Sequence, residues 1–354
     1  MKMGIDMNKI EFGLNTFGDV AYDDQTKKKI TYAQSLRNLV VEGKLADQSG
    51  IDVFALGEHH REEYSVSSPE TVMAALATVT EQVRLATAVT VLSSDDPIRV
   101  YERFATLHGL SNGRVEAMIG RGSFTESFPL FGYDLKNYEE LFEEKIHLFS
   151  ELLKEQPFNW EGKLTQNLNN VQVYPKIENG PLQVSVGVGG SPESVLRTAR
   201  YGFKLMLAII GGEPVRFKPY IDLYKKATAQ YGQQVLPIGM HSHGVIAETE
   251  KEAKEIAWQY IKPSMDKIGR ERGWGAMSRE QFDFEIENGA YYVGTPEQVA
   301  HKIAKNMTAV GVERFDLVYG AGGQLQKDRF KTIELYGTQV VPLVKELLRN
   351  GEYE

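Results

Sequence analysis

The chain has 354 residues, 42% of them hydrophobic, no cysteine, and a net charge of −8 from 40 basic and 48 acidic side chains. The lack of cysteine excludes disulfides, thiolate nucleophiles, zinc held on sulfur and iron–sulfur clusters. The acidic balance, with no basic cluster larger than Lys27–Lys29, speaks against a nucleic-acid partner, and that triplet reads as a solvated loop.

The N-terminal stretch MKMGIDMNKIEFG carries Asp6 and lacks the apolar core of a signal peptide. The longest apolar stretches, such as Leu205–Ile210, are too short to span a bilayer. A soluble, cytoplasmic protein is expected. The first apolar run is Ile10–Thr16. An amphipathic stretch with Leu36, Leu39, Val40 and Gly43 on one face follows, closed by Ser49–Gly50. The second run is Ile51–Leu56, and its helix is expected to open at Ser68–Pro69, with Ser as N-cap and Pro in the first position. The third run is Leu85–Leu92, with a helix from Asp96–Pro97. The fourth is Val115–Ile119, followed by Leu141, Phe142, Ile146, Phe149, Leu152 and Leu153 at helical spacing.

Pro157–Gly180 is polar and turn-rich, and reads as an insertion carrying a hairpin with a strand at Val171–Tyr174. The fifth run is Leu182–Val188, with a helix from Pro192. The sixth is Phe203–Ile210, with a helix over about 214–231. The seventh is Leu236–Ala247, with a helix around Ala253–Tyr260. A charged stretch from Ile268 to Ala290 reads as a second, irregular insertion. Thr295-Pro296-Glu297-Gln298 is a capping box. The eighth run is Phe315–Tyr319, and a last helix covers Phe330–Leu348.

Strand runs alternating with helices imply parallel βα units, and eight of them close a TIM barrel. The expected fold is therefore a single (β/α)8 domain over 1–354, with insertions at about 157–180 and 268–294; a doubly wound open sheet is the alternative. Apolar character falls at Asn15, Glu58, Arg121, Gly187 and Gly320, all at the ends of runs. In a barrel those ends face one common site.

Val186-Gly187-Val188-Gly189-Gly190-Ser191-Pro192 runs a strand through glycines into a capped helix start. Glycines allow close backbone approach, and a helix N-terminus offers free N–H groups, so the loop suits a phosphate. Pro192 occupies the place of the third glycine of a dinucleotide fingerprint, which favours a mononucleotide. A tight turn before a well-capped helix is the alternative. Gly211-Gly212 could complete the cradle or be only a loop. In Glu58-His59-His60, adjacent strand residues point to opposite faces, so chelation of one metal is disfavoured. Proton transfer or hydrogen bonding by one histidine fits better, with a backbone-satisfied histidine as the alternative. Arg121, between Gly120 and Gly122, suits an anion or a polarised carbonyl, or a salt bridge to a neighbour such as Glu58. His241 and His243 share a face and could line the barrel, in a substrate-facing or a structural role. No third ligand is evident, so no metal site is assigned.

Together these motifs resemble the bacterial luciferase-like flavin-dependent monooxygenases. The resemblance runs through GLNTFG, ALGEHH, LATAVTVLSSDDPIRVYERFATLHGLSNGRVEAMIGRGS, VSVGVGGSPESV and VGTPEQVAHKI, and so covers nearly the whole chain. It implies reduced FMN at the C-terminal face of the barrel, reacting with O2 to a C4a-hydroperoxide that oxidises an organic substrate. It places His59 beside the reactive flavin edge, Glu58 as the acid of that motif and Arg121 in flavin binding. It also implies a non-prolyl cis bond at Ala88–Val89 beneath the ring. The phosphate would fall to Gly187, Gly189, Gly190 and Ser191. The glycine-rich form of that loop, with Gly187, Val188 and Ser191 where luciferase has Glu, Ser and Thr, is that of non-luminous relatives. Reduced FMN is expected from a separate flavin reductase, with direct reduction by NAD(P)H as the alternative, and the family tends to homodimers. Rival readings are a deazaflavin-dependent oxidoreductase, a non-catalytic FMN-binding protein, and a metal-dependent barrel isomerase or hydrolase using Glu58, His59 and His243.

Overall fold

A computed structural model describes residues 7–353; the reading of residues 1–6 as free of a signal sequence lies outside them. Eight parallel strands close on themselves: β1 (Glu11–Thr16), β2 (Val53–Leu56), β3 (Arg84–Thr87), β4 (Val115–Gly120), β5 (Gln183–Val188), β6 (Lys204–Ala208), β7 (Gly239–Ile246) and β8 (Arg314–Val318). Each pairs with the next, and β8 pairs with β1, with Gly13 beside Asp316. This is the expected TIM barrel. Among the described residues, no helix is long and apolar enough to cross a membrane.

Helix starts follow local chemistry. Thr31, Asp96, Ser191 and Thr249 each accept a backbone N–H through the side chain, and the capping box at Thr295–Gln298 forms. Ser68 occupies its N-cap position but makes no cap bond, since its hydroxyl lies 3.2 Å from Thr71 Oγ1 instead.

Three expectations are corrected. The hairpin pairs Phe158–Trp160 with Leu168–Val171, so its second strand ends where it was expected to begin. The third run is not one strand: β3 ends at Thr87, the Ala88–Val89 bond is cis, and Thr90–Val91 pairs again with β4. The 268–290 stretch is largely helical. The helix expected over 253–260 runs through Pro263 as Glu250–Glu271, and a further helix, Arg279–Glu287, begins at a capping box formed by Ser278 and Gln281.

Strand alternation assigns the barrel interior, because side chains two apart share a face. At the strand starts, Glu11, Arg84, Glu116 and Arg314 form an ion-paired layer. Above it sit Val53, Ala86, Met118 and Met206, in an apolar cluster distinct from the outer core. Toward the strand ends the inward positions are small: Ala88, Gly120, Gly187 and Ala208. Small residues there leave volume that the bulky residues usual in such barrels would fill.

Candidate active site

That volume is a cavity of about 330 Å3 at the C-terminal mouth. Glu58, His59, Ala88, Val89, Arg121, Gly187, Gly189, His241 and His243 all line it, so the barrel gathers most of the candidate residues from its strand ends.

Val89 projects between two strands. A Cβ on Gly120 would lie 2.7 Å from Val89 Cγ2, and one on Gly187 would lie 2.8 Å from Val89 Cγ1. Both glycines are thus required by the close approach of the 88–89 segment. Past Gly187, a Cβ on Gly189 would meet nothing within 4 Å, so the loop before the Pro192–Arg200 helix is open. Ser191 spends its oxygen on capping that helix at Ser194 N–H (3.3 Å) and donates to Glu193 (2.9 Å). Gly190 and Ser191 border the cavity without lining it. Gly211 and Gly212 do not join the cradle: the Gly212 N–H already donates to the Glu285 carboxylate at 2.8 and 3.1 Å. Glu285 belongs to the Arg279–Glu287 helix, within the stretch expected to be irregular.

Glu58 is fully engaged. Its Oε1 contacts His60 Nε2 at 2.8 Å, and its Oε2 accepts the Val91 N–H at 2.8 Å. It holds the segment after the cis bond, and it gives His60 a structural partner. Arg121 does form a salt bridge, but with Glu139 rather than Glu58, and its guanidinium lies 5.4 Å from the Tyr138 ring centroid.

His59 sits among Phe17, Tyr64 and Phe124, with ring centroids at 4.9, 4.5 and 4.9 Å. Burial, reinforced by the nearby Arg61 and His60 charges, pushes its pKa down to about 3. His241 and His243 fall to about 4, again chiefly through burial. All three are neutral near pH 7, able to donate or accept hydrogen bonds but carrying no charge. Asn15 Nδ2 lies 3.0 Å from His241 Nδ1, whereas Asn15 Oδ1 and His243 Nδ1 are buried without a partner among the described residues.

Several lining residues carry no signal of their own in the sequence. Phe17 and Asp19 follow β1 as His59 follows β2, so the strand-end rule points to them. Phe124 follows Arg121 in the same loop. Ile261, Ser264, Met265, Ile268 and Arg272 come from the long helix and its end, beyond the 253–260 limit that the sequence pattern suggests.

Asp19 is the unusual member. Burial raises its carboxyl to about 6, against the pull of Arg329, the Gly322 N–H and Lys29. A folded pKa above the unfolded value gives stability that is full below about pH 4 and lost as pH rises through about 6. Asp19→Asn is therefore expected to stabilise the chain at pH 8, by up to about 3 kcal/mol, and to change little at pH 4. The magnitude follows because each pH unit separating the folded from the unfolded value is worth roughly 1.4 kcal/mol. Urea denaturation at both pH values checks this; equal effects at both would refute it.

Residues 10–314 match the family model described as luciferase-like monooxygenase. An alkanal monooxygenase alpha chain from Photorhabdus luminescens is 24% identical, over 92% of this chain and 96% of its own. The fold matches the oxygenating constituent of 3,6-diketocamphane monooxygenase from Pseudomonas putida, a type II Baeyer-Villiger monooxygenase solved with FMN (TM-score 0.72, 20% identity, 94% and 98% covered). It also matches an F420-dependent secondary alcohol dehydrogenase solved with an F420-acetone adduct (TM-score 0.73, 17% identity, 95% and 99% covered).

Proposed function

Because the chain belongs to the luciferase-like monooxygenase family, whose members are oxidoreductases acting with molecular oxygen, we propose that its mouth cavity binds reduced FMN. With O2, the bound flavin would serve to oxidise a small organic substrate, and a separate reductase would supply the reduced cofactor. One observation carries the reading. A single cavity is bordered on one side by an open glycine loop at a helix N-terminus and on the other by neutral His59, with Val89 between them.

The residues present fit a flavin mononucleotide. The Gly189–Ser191 loop would take the phosphate at the helix start, with Arg121 as the nearby cation. Ala88 and Val89 would support the ring from below. The unpartnered Asn15 Oδ1 and His243 Nδ1 are polar atoms that a bound ring system could satisfy. Reduced flavin supplies the electrons that activate oxygen. The chain's part is to orient the ring, exclude water through its aromatic and aliphatic lining, and place the His59 imidazole at the reacting edge.

The test is a titration with FMN and with F420, each oxidised and reduced, followed by oxygen uptake. Reduced FMN is expected to bind at micromolar concentration or tighter and to consume O2. Gly187→Val is expected to weaken FMN at least about tenfold, since its side chain must displace Val89 into the ring site. Binding of F420 in place of FMN, or a Gly187→Val variant with unchanged affinity, would overturn the assignment. Gel filtration and pull-down with a flavin reductase address the expected homodimer and the reductase partner.

A further inference from the structure

A second, larger cavity of about 630 Å3 adjoins the first and shares Asp19, Tyr64, Ser264 and Ile268 with it. The inner cavity lies at the low end of the ~300–1,000 Å3 typical of small-molecule sites. With the ring of a flavin inside it, little room remains for a substrate. The adjoining space is where a substrate could sit and still reach the ring. This placement rests on the flavin reading above.

Asp19 stands at the divide. It is 4% exposed; its Oδ1 accepts the Gly322 N–H at 2.8 Å, and its Oδ2 is buried with no partner among the described residues. A buried carboxylate oxygen left open is costly, and natural folds seldom keep one without a use.

The position is also built. Gly322 adopts φ +78°, and a Cβ there would run into the Tyr260 carbonyl, so only glycine brings its N–H to Asp19. Arg329, fully buried, grips Glu42 through two bonds of 2.8 Å and donates to the Asp19 carbonyl at 3.3 Å. The Asp19 backbone also bridges to Tyr64. Such support holds a side chain to one orientation.

The walls indicate what it meets. The Tyr22 and Tyr260 rings pack together, tilted at 45° with centroids 5.5 Å apart, and Val20, Pro263 and Leu325 add apolar surface. Flat aromatic rings pack well on such walls. On the rim, Arg61 and Lys267 are ion-paired with Glu126, Glu271 and Glu63, which leaves Lys27 and Lys29 against Glu62, a small positive excess that disfavours a cationic ligand.

We propose that Asp19 is a specificity-determining residue, whose free carboxylate oxygen accepts a hydrogen bond from the hydroxyl of an aromatic substrate seated in the outer cavity. A hydroxyl supplies the missing donor without adding charge. A site built to bond a hydroxyl rejects analogues that lack it far more strongly than an apolar pocket rejects a size change.

The probes are 2-naphthol and its methyl ether, 2-methoxynaphthalene, titrated calorimetrically into the full-length chain, with FMN affinity measured on the same preparations. Wild type is expected to prefer the naphthol by about tenfold or more. Asp19→Asn keeps an acceptor for Gly322 and is expected to fold, while the preference falls to within about twofold. Wild type without a preference, or Asp19→Asn retaining it, would overturn the proposal while leaving flavin binding intact. A chain that prefers the naphthol but binds no FMN would overturn the flavin reading and support the Asp19 assignment.

Discussion

Arg314→Ala is expected to destabilise the fold by about 3–5 kcal/mol, the usual loss when one partner of a buried ion pair is removed. Against a total of about 5–15 kcal/mol for a folded domain, this is a large fraction. Arg314 donates to Asp316 at 2.8 and 2.7 Å and to both oxygens of Glu116 at 3.0 and 2.8 Å. Arg84 bridges Glu116 (3.0 Å) to Glu11 (2.8 and 2.6 Å), closing the layer. Without Arg314, two buried carboxylates face each other with one cation fewer between them.

The effect has a pH signature. Burial alone would raise Glu116, but Arg314 and then Arg84 outweigh it and hold the carboxyl far below its ordinary range. A depressed folded pKa gives stability that is present above the unfolded value, near ~4.3, and lost as pH falls through the folded value. Removing Arg314 removes the largest part of that depression. The deficit of the variant should be full at pH 7 and narrow only as pH falls below the unfolded value toward the folded one, as followed by urea denaturation and circular dichroism. A deficit under about 1 kcal/mol at pH 7 would mean that the layer contributes no more than surface ion pairs do.

His59→Ala is the second large effect. Near neutral pH the uncharged His59 acts as a positioned hydrogen-bonding group; removing one such donor costs about 10²–10³-fold, and substrate oxidation with reduced FMN and air is expected to fall by that order. FMN affinity should change little, because the phosphate and ring contacts come from other strands. The oxygen consumed should appear instead as free hydrogen peroxide, detected by adding catalase in an oxygen-electrode assay. His59→Asn, which keeps a donor and an acceptor near the same place, should recover part of the rate. Because burial holds His59 neutral down to about pH 3, no break assignable to it should appear between pH 6 and 9. Undiminished coupled oxidation in His59→Ala would remove it from the chemistry.

Much of the fold was legible because βα alternation is a strong pattern. Each strand run ended within a few residues of its observed limit, apart from the third. There, Ala88 and Val89 look like ordinary strand residues, and only the family resemblance pointed to the cis bond observed between them. The long helix was underestimated because Pro263 and a charged sequence suggest a break, whereas a buried stripe of Ala253, Ala257, Tyr260 and Ile261 carries it onward. His59, Arg121 and Gly187 were legible as strand-end residues of unusual type. The engagement of Glu58 by His60 and Val91 was not, because it depends on a partner 33 residues away. Asp19 was missed for a similar reason: an aspartate in a loop is ordinary, and only the closing of β8 onto β1 buries it beside Gly322.

The layering inside the barrel separates two demands along each strand. On β4, Glu116 belongs to the ion-paired end and Gly120 to the mouth, a short way further along the same strand. Met118, between them, belongs to the apolar plug that keeps the two levels out of contact. Changes at the mouth therefore leave the hydrogen bonds of the charged layer intact, although the Arg314 charge still reaches His241 at the mouth. A lineage built this way can exchange one substrate for another by altering residues near the rim while the part of its stability that the charged layer supplies is inherited unchanged.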